Sequence, residues 1–174
     1  SLLWAPNQIY KSYLRGNYPD YVPRIHNKLM RGRILRYGAY GDPAAVPYEI
    51  WVKLNKLCPN HTGYTHAWRN CDQRLKKILM ASVDTPNQVL EANKLGWRTF
   101  RVRIPQDDPL LNNEVTCPAS KEAGKIRTCA TCKACHGAGN GKAKNIAIIA
   151  HGWKHKLSKF KENRKGLIAL EMAA

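Results

Sequence analysis

Lys77-Ile78-Leu79-Met80-Ala81-Ser82-Val83 is an apolar run that stops at Asp84-Thr85-Pro86, and Trp97-Arg98-Thr99-Phe100-Arg101-Val102-Arg103-Ile104 alternates strictly after Gly96. The first run has the length of a strand. The second has the period of two that sends successive side chains to opposite faces. Between them Asp84 or Thr85 can cap a helix, Pro86 suits its first turn, and Gly96 suits its stop. Strand, helix and strand in that order predict a parallel βα unit, because the helix is long enough to make the crossover.

The same unit recurs outward from this stretch. Upstream, Arg33 to Tyr40 predicts a strand ended by Gly41-Asp42-Pro43, and Pro47 opens a helix carrying Ile50, Trp51, Leu54 and Leu57 at helical spacing. His61 to Trp68 predicts the next strand, ending at Arg69. Two helices precede these units, one over Pro6 to Gly16 and one from an acidic cap at Asp20 to Met30. Downstream, Asn145 to Ala150 predicts a strand ending at His151-Gly152. Gly152 to Arg164 then reads as a basic amphipathic helix, with Trp153, Leu157 and Phe160 packing on the domain and Lys154, Lys156, Lys159 and Lys161 exposed. The expected fold is a single α/β domain, a partial or distorted βα barrel with a parallel sheet. Its parts are N-terminal helices at 1–32, βα units at 33–116, a cysteine-rich loop at 117–144, and a last strand and basic helix at 145–174.

A chain of 174 residues is about one domain. Its formal charge of +17, from 29 Lys and Arg against 12 Asp and Glu, points to a polyanionic partner, with nucleic acid the natural one. Basic residues concentrate in Arg24 to Arg36 and Lys154 to Lys165. No apolar run reaches transmembrane length, so no membrane span is expected. The chain opens at Ser1-Leu2-Leu3-Trp4, without a charged-then-apolar leader, as a processed, trimmed or partial chain would. Six cysteines in that context argue for metal or redox chemistry in a reducing cytoplasm rather than for a disulfide framework.

Four of those cysteines, Cys117, Cys129, Cys132 and Cys135, form the pattern C-x11-C-x2-C-x2-C in a loop too polar to be core. Shared metal ligation is the chemistry that explains such a cluster. The compact run from Cys129 to Cys135 resembles one that ligates a cubane iron–sulfur (4Fe–4S) cluster, with Cys117 as the fourth thiolate, and four thiolates also make a closed tetrahedral zinc site. The spacing leans toward the cluster. His136 suits an outer-shell role, Cys58 and Cys71 have no recognised spacing, and the odd separation of His61 and His66 puts them on opposite faces of a strand. Gly137-Ala138-Gly139-Asn140-Gly141-Lys142 is not a Walker loop, since His136 stands where the first glycine is required and no Ser or Thr follows Lys142.

Asp42, Arg69, Asp84, Cys117 and His151 all fall at or just after expected strand ends, where βα proteins build their sites. Two functions follow. In one, a metalloprotein binds nucleic acid through Arg69, Arg101, Arg103, Lys154, Lys156, Lys159 and Lys161, with Trp68, Trp97 and Trp153 as candidate stacking groups, Trp97 suiting the core better. In the other, an iron–sulfur or zinc enzyme uses Asp42 or Asp84 and His66 as acid–base groups, with arginines holding an anionic substrate. A concave pocket favours the enzyme; a flat basic face favours binding alone.

At Arg36 to Ala44, His61 to Arg69, Gly96 to Val102 and Cys117 to Lys125 the sequence resembles a family of phage- and metagenome-borne proteins, over about Ala5 to His151. The family is in turn distantly similar to phage proteins with cysteine-rich, radical-SAM-like βα folds. The resemblance implies a metal-bearing βα fold and carries no activity. Typical members begin earlier, with a strand and further cysteines; this chain has none before the region of Trp4-Ala5-Pro6, so no first metal site is carried over.

Overall fold

The computed structural model describes residues 4–104, 108–138 and 143–173. Helices α1 (Trp4–Leu14) and α2 (Pro23–Met30) lead into β1 (Ile34–Tyr37), α3 (Tyr48–Leu57), β2 (Asn60–Thr65), β3 (Met80–Val83), α4 (Pro86–Lys94) and β4 (Thr99–Arg103). Then follow β5 (Glu114–Thr116), α5 (Cys129–Cys132), β6 (Asn145–Ile149) and α6 (Lys154–Ala173). The six strands form one open sheet in the order β1-β2-β3-β4-β6-β5, and every pairing is parallel. Helices and strands alternate as expected of a partial βα fold.

Alternation along the strands divides the sheet into two differently covered faces. On the outer face Tyr37, Ala81 and Val83 pack with Val89 and Ala92 of α4, Trp51 of α3, and Trp68, Leu75 and Trp97. On the inner face Met80, Ile146, Tyr64, Phe100 and Ile148 pack with Cys117, Ala119, Ala134 and Cys135 of the cysteine-rich loop. Helices therefore cover one side and the loop covers part of the other.

Several elements differ from expectation for local reasons. Strand β1 stops at Tyr37 because Gly38 turns the chain at φ +73, where an added Cβ would lie 2.5 Å from Pro43 Cδ. Helix α2 starts at Pro23, capped by Val22 rather than Asp20, with proline in its first turn. Strand β2 ends at Thr65, and Trp68 is buried beyond it. Residues Gln73–Lys77 close into a 3-10 turn, which delays β3 to Met80. The edge strand β5 is three residues long and offers no period to read. Helix α6 runs past Arg164 to Ala173, because Leu157, Phe160, Arg164, Ile168 and Glu171 continue an inward stripe at helical spacing. Trp153 precedes that helix and is 77% exposed, so it is not part of the packed stripe. Residues 139–142 of the glycine-rich stretch lie outside the described residues.

Polar anchors fasten α6 to the outer face. Arg164 pairs with Asp108 and donates to the Val102 carbonyl, while the Glu171 carboxylate accepts from Thr85 Oγ1 at 2.6 Å and Gln88 Nε2 at 2.9 Å. Asp108 is shared with Arg101, whose guanidinium also pairs with Glu114. Two cations and two carboxylates thus form a buried, neutral network between β4, β5 and α6. Among the described residues no helix is long and apolar enough to cross a membrane.

Candidate functional site

The cysteines are brought together by local structure. Thr128 caps α5 through a reciprocal hydrogen-bonded box with Thr131, and that single turn sets Cys129 and Cys132 one helical turn apart on one side. Lys133 then takes φ +55, the one positive value at a non-glycine among the described residues, and reverses the chain so that Cys135 returns toward the sheet. Its carbonyl accepts from Gly63 of β2 at 3.1 Å, and Ala138 donates to Lys76 O at 2.6 Å. The loop backbone runs so close to residues 76–78 that a Cβ on Gly137 would sit 2.3 Å from Ile78 N. Only glycine fits there. Cys117 comes from the end of β5, its N–H donating to Ala147 O at 2.7 Å and its carbonyl accepting from Ser120 Oγ at 2.8 Å.

All four cysteines line one small void, with Thr62, Ala119, Lys133 and Ala134 completing it. Burial, reinforced by Cys129 and Cys132, raises the Cys117 thiol; burial and the three other cysteines push Cys135 up to about 11 against a partial offset from the Tyr64 hydroxyl. The thiols are close enough to oppose one another's ionisation. Among the described residues, no three His, Cys, Asp or Glu side chains already stand in ligating geometry around a point, so the sulfurs are grouped without being closed. Two of the four, Cys129 and Cys132, are not buried. A cluster of soft donors in a polar loop is the donor set expected for zinc or iron–sulfur.

The wall formed by Cys117, Ala119 and Cys129 has a second side. It faces a cavity of about 850 Å³ at the C-terminal edge of the sheet, within the size range of small-molecule sites. The strands supply its floor from their inner face, with Arg36, Tyr64, Ser82, Phe100, Val102 and Ile148. Loops supply its mouth, with Asp42, His66, Lys121, Glu122 and His151. The Tyr64 and Phe100 rings lie with centroids 4.5 Å apart.

Of the residues read as catalytic, Asp42 and His66 line this cavity and Asp84 does not. Thr85, not Asp84, caps α4 by accepting from Gln88 N. Asp42 is held as a tie rather than left free as a base. Its Oδ1 accepts from Thr65 Oγ1 at 2.7 Å and Ala44 N at 2.9 Å, and its Oδ2 from His66 N at 2.9 Å. Burial raises its carboxyl, but these hydrogen bonds outweigh burial and hold it below its ordinary value. A depressed folded-state pKa stabilises above the unfolded value, and that contribution is lost as pH falls through the folded value. Asp42→Asn should therefore lower stability at neutral pH by about 1–2 kcal/mol, less than a fully buried charged hydrogen bond because the group is half-buried. In chemical unfolding, the gap between wild type and variant should close as pH drops below about 3.9. A gap that persisted unchanged in acid would show that the carboxylate tie is not its source.

The arginines are placed differently from the reading as a pocket lining. Arg101 and Arg103 point from β4 to the outer face, opposite Phe100 and Val102. Arg101 is fully buried on Glu114 and Asp108, and Arg103 Nη1 donates to Asp108 O. Arg69 pairs with Glu91 and lies 4.0 Å over the Trp68 ring, away from the cavity. Trp68 and Trp97 are buried in the core, which leaves Trp153 as the exposed indole of the three. Lys154, Lys156, Lys159 and Lys161 are exposed along α6. Cys58 is buried with Sγ donating to Met30 O, and Cys71 lies in the outer core, so neither joins the four.

One residue that holds the site escaped the sequence reading. Arg98, buried at the foot of β4, donates to the carbonyls of Ala134, His136, Gly137 and Lys144, pinning both ends of the cysteine loop's return. Backbone carbonyls leave no trace in a motif, so the signal was only a lone arginine beside a strand. No protein-family model, no curated protein and no solved structure matches the chain.

Proposed function

We propose that Cys117, Cys129, Cys132 and Cys135 hold one metal centre, and that this centre builds a wall of a substrate cavity in an enzyme acting on an anionic ligand. The observation that supports this most is the shared wall: Cys117 and Cys129 line both the four-cysteine void and the large cavity. The void as it stands has room for about one water-sized sphere, which suits a single zinc ion. A 4Fe–4S cluster, which the cysteine spacing favours, requires that wall to open toward the cavity. When bound, zinc would cross-link the loop, whereas a cluster would add one-electron exchange. The side chains of the cavity support this reading. Arg36 and Lys121 offer cations to an anionic group, His66 and His151 stand at the mouth as proton carriers, and Tyr64, Phe100, Val102 and Ile148 give the floor apolar surface.

Metal analysis with an optical spectrum of anaerobically purified protein tests it. Iron with sulfide and a thiolate-to-iron band, or about one zinc per chain without colour, is the expected result; protein free of either metal would overturn it.

The charge of +17 and the exposed lysines of α6 favour a second reading, nucleic-acid binding. Changing Lys154, Lys156, Lys159 and Lys161 to Ala should weaken binding of a single-stranded oligonucleotide and flatten its salt dependence by about 0.7 in log–log slope per lost phosphate contact. Equal affinity and slope would show that α6 does not touch phosphate.

A further inference from the structure

The cavity combines aromatic and cationic side chains. Its strand floor holds the Tyr64 and Phe100 rings packed together beside Val102, with the exposed Arg36 near Tyr64. Lys121 stands exposed at a mouth that also holds Asp42 and Glu122. At the mouth His151 leads within two residues to Trp153, which with Gly152 and Lys154 lines a shallow depression of about 410 Å³. A small anion would leave the aromatic floor without a partner, and a purely apolar ligand would leave Arg36, Lys121 and the exposed indole without partners. A ligand that fits both carries a planar ring and an anionic group.

We propose that this ligand is a single-stranded nucleic acid, one unpaired base of which enters the cavity over Tyr64 and Phe100. The next base stacks on Trp153, and the backbone phosphates meet Arg36, Lys121 and Lys154. Base-on-aromatic stacking of this kind tolerates any base and needs no groove readout. Extrusion of one nucleotide into a pocket is how proteins reach a base they act on, and an unpaired strand spares the cost of opening a duplex. The inference rests on reading the cavity as the substrate site and names the substrate class; it does not depend on which metal the cysteines hold.

The test uses the metal-loaded full chain with short single-stranded DNA and RNA oligonucleotides carrying 5-iodouracil, which on irradiation crosslinks to an aromatic ring that it stacks on. The crosslink should map to Tyr64 or Phe100 as well as to Trp153, and the DNA and RNA arms show which sugar is preferred. An otherwise identical abasic strand should bind at least about fivefold more weakly, as should a duplex. Filling the cavity with Val102→Trp should remove the Tyr64 and Phe100 crosslinks while metal content stays at the wild-type level. Ser82→Tyr, from the neighbouring strand, serves where the tryptophan variant does not fold. Crosslinks confined to Trp153, equal affinity for the abasic strand, tighter binding of duplex, or no binding at all would each overturn the inference. Protein that captures the base yet holds no metal when purified anaerobically would instead overturn the metal reading alone.

Discussion

Replacing Glu114 by Leu should cost the protein about 3–5 kcal/mol of stability, because it leaves the guanidinium of Arg101 buried with only part of its charge compensated. Arg101 and Glu114 are both fully buried, and Arg101 Nε donates to Glu114 Oε1 at 2.7 Å. Glu114 Oε2 also accepts from Leu111 N at 2.9 Å, so its loss frees a donor in the turn before β5 as well. Urea unfolding of the single variant measures the loss. The double variant with Arg101→Met should recover a large part of it, since removing both charges costs far less than stranding one. A loss below about 1 kcal/mol in the single variant would mean that water reaches the network and that it does not lock β5 and α6 to the sheet.

Cys132→Ser should lower metal affinity by more than the roughly 100-fold that attends loss of an outer-shell partner. Because the thiolate site does not exist in the unfolded chain, its metal-binding energy adds to folding, and the same change should loosen the loop between Cys117 and Lys144. Trypsin reports this directly at Lys125 and Arg127, which flank the fully exposed Ile126. Cleavage there should accelerate in Cys132→Ser and stay slow in Cys71→Ser, whose thiol lies in the outer core. Equal metal content in the two variants would show that Cys132 is not a ligand.

The features that were legible in the sequence are the local ones. The spacing of Cys129 and Cys132 is one helical turn, so grouping them needs only a capped turn, and Thr128 and Thr131 provide it. The parallel βα order follows from strand runs separated by a capped helix, and β3, α4 and β4 fall within the stretches of that reading, β3 starting only at Met80. What stayed hidden depends on partners distant in the chain. In β4 the period of two was correct, yet Arg101 faces the helical layer and Phe100 the cavity, the reverse of the polarity an exposed strand would have. A parallel sheet covered on both faces removes that guide, and a buried arginine is tolerated once Asp108 and Glu114 meet it. Asp42 lines the cavity, and the ties that hold its carboxylate left no sign in the sequence. Its three hydrogen bonds come from Ala44 N nearby, from Thr65 at the end of the next strand and from His66 just beyond it, which no spacing rule connects.

X-ray absorption at the metal edge of the anaerobically loaded protein tests the central claim most directly. The account predicts sulfur scattering at about 2.3 Å from each metal, with four cysteine thiolates per zinc ion or per iron–sulfur cluster, and loss of one in Cys117→Ser. A first shell of nitrogen or oxygen, or a spectrum unchanged by Cys117→Ser, would contradict a centre held jointly by Cys117, Cys129, Cys132 and Cys135.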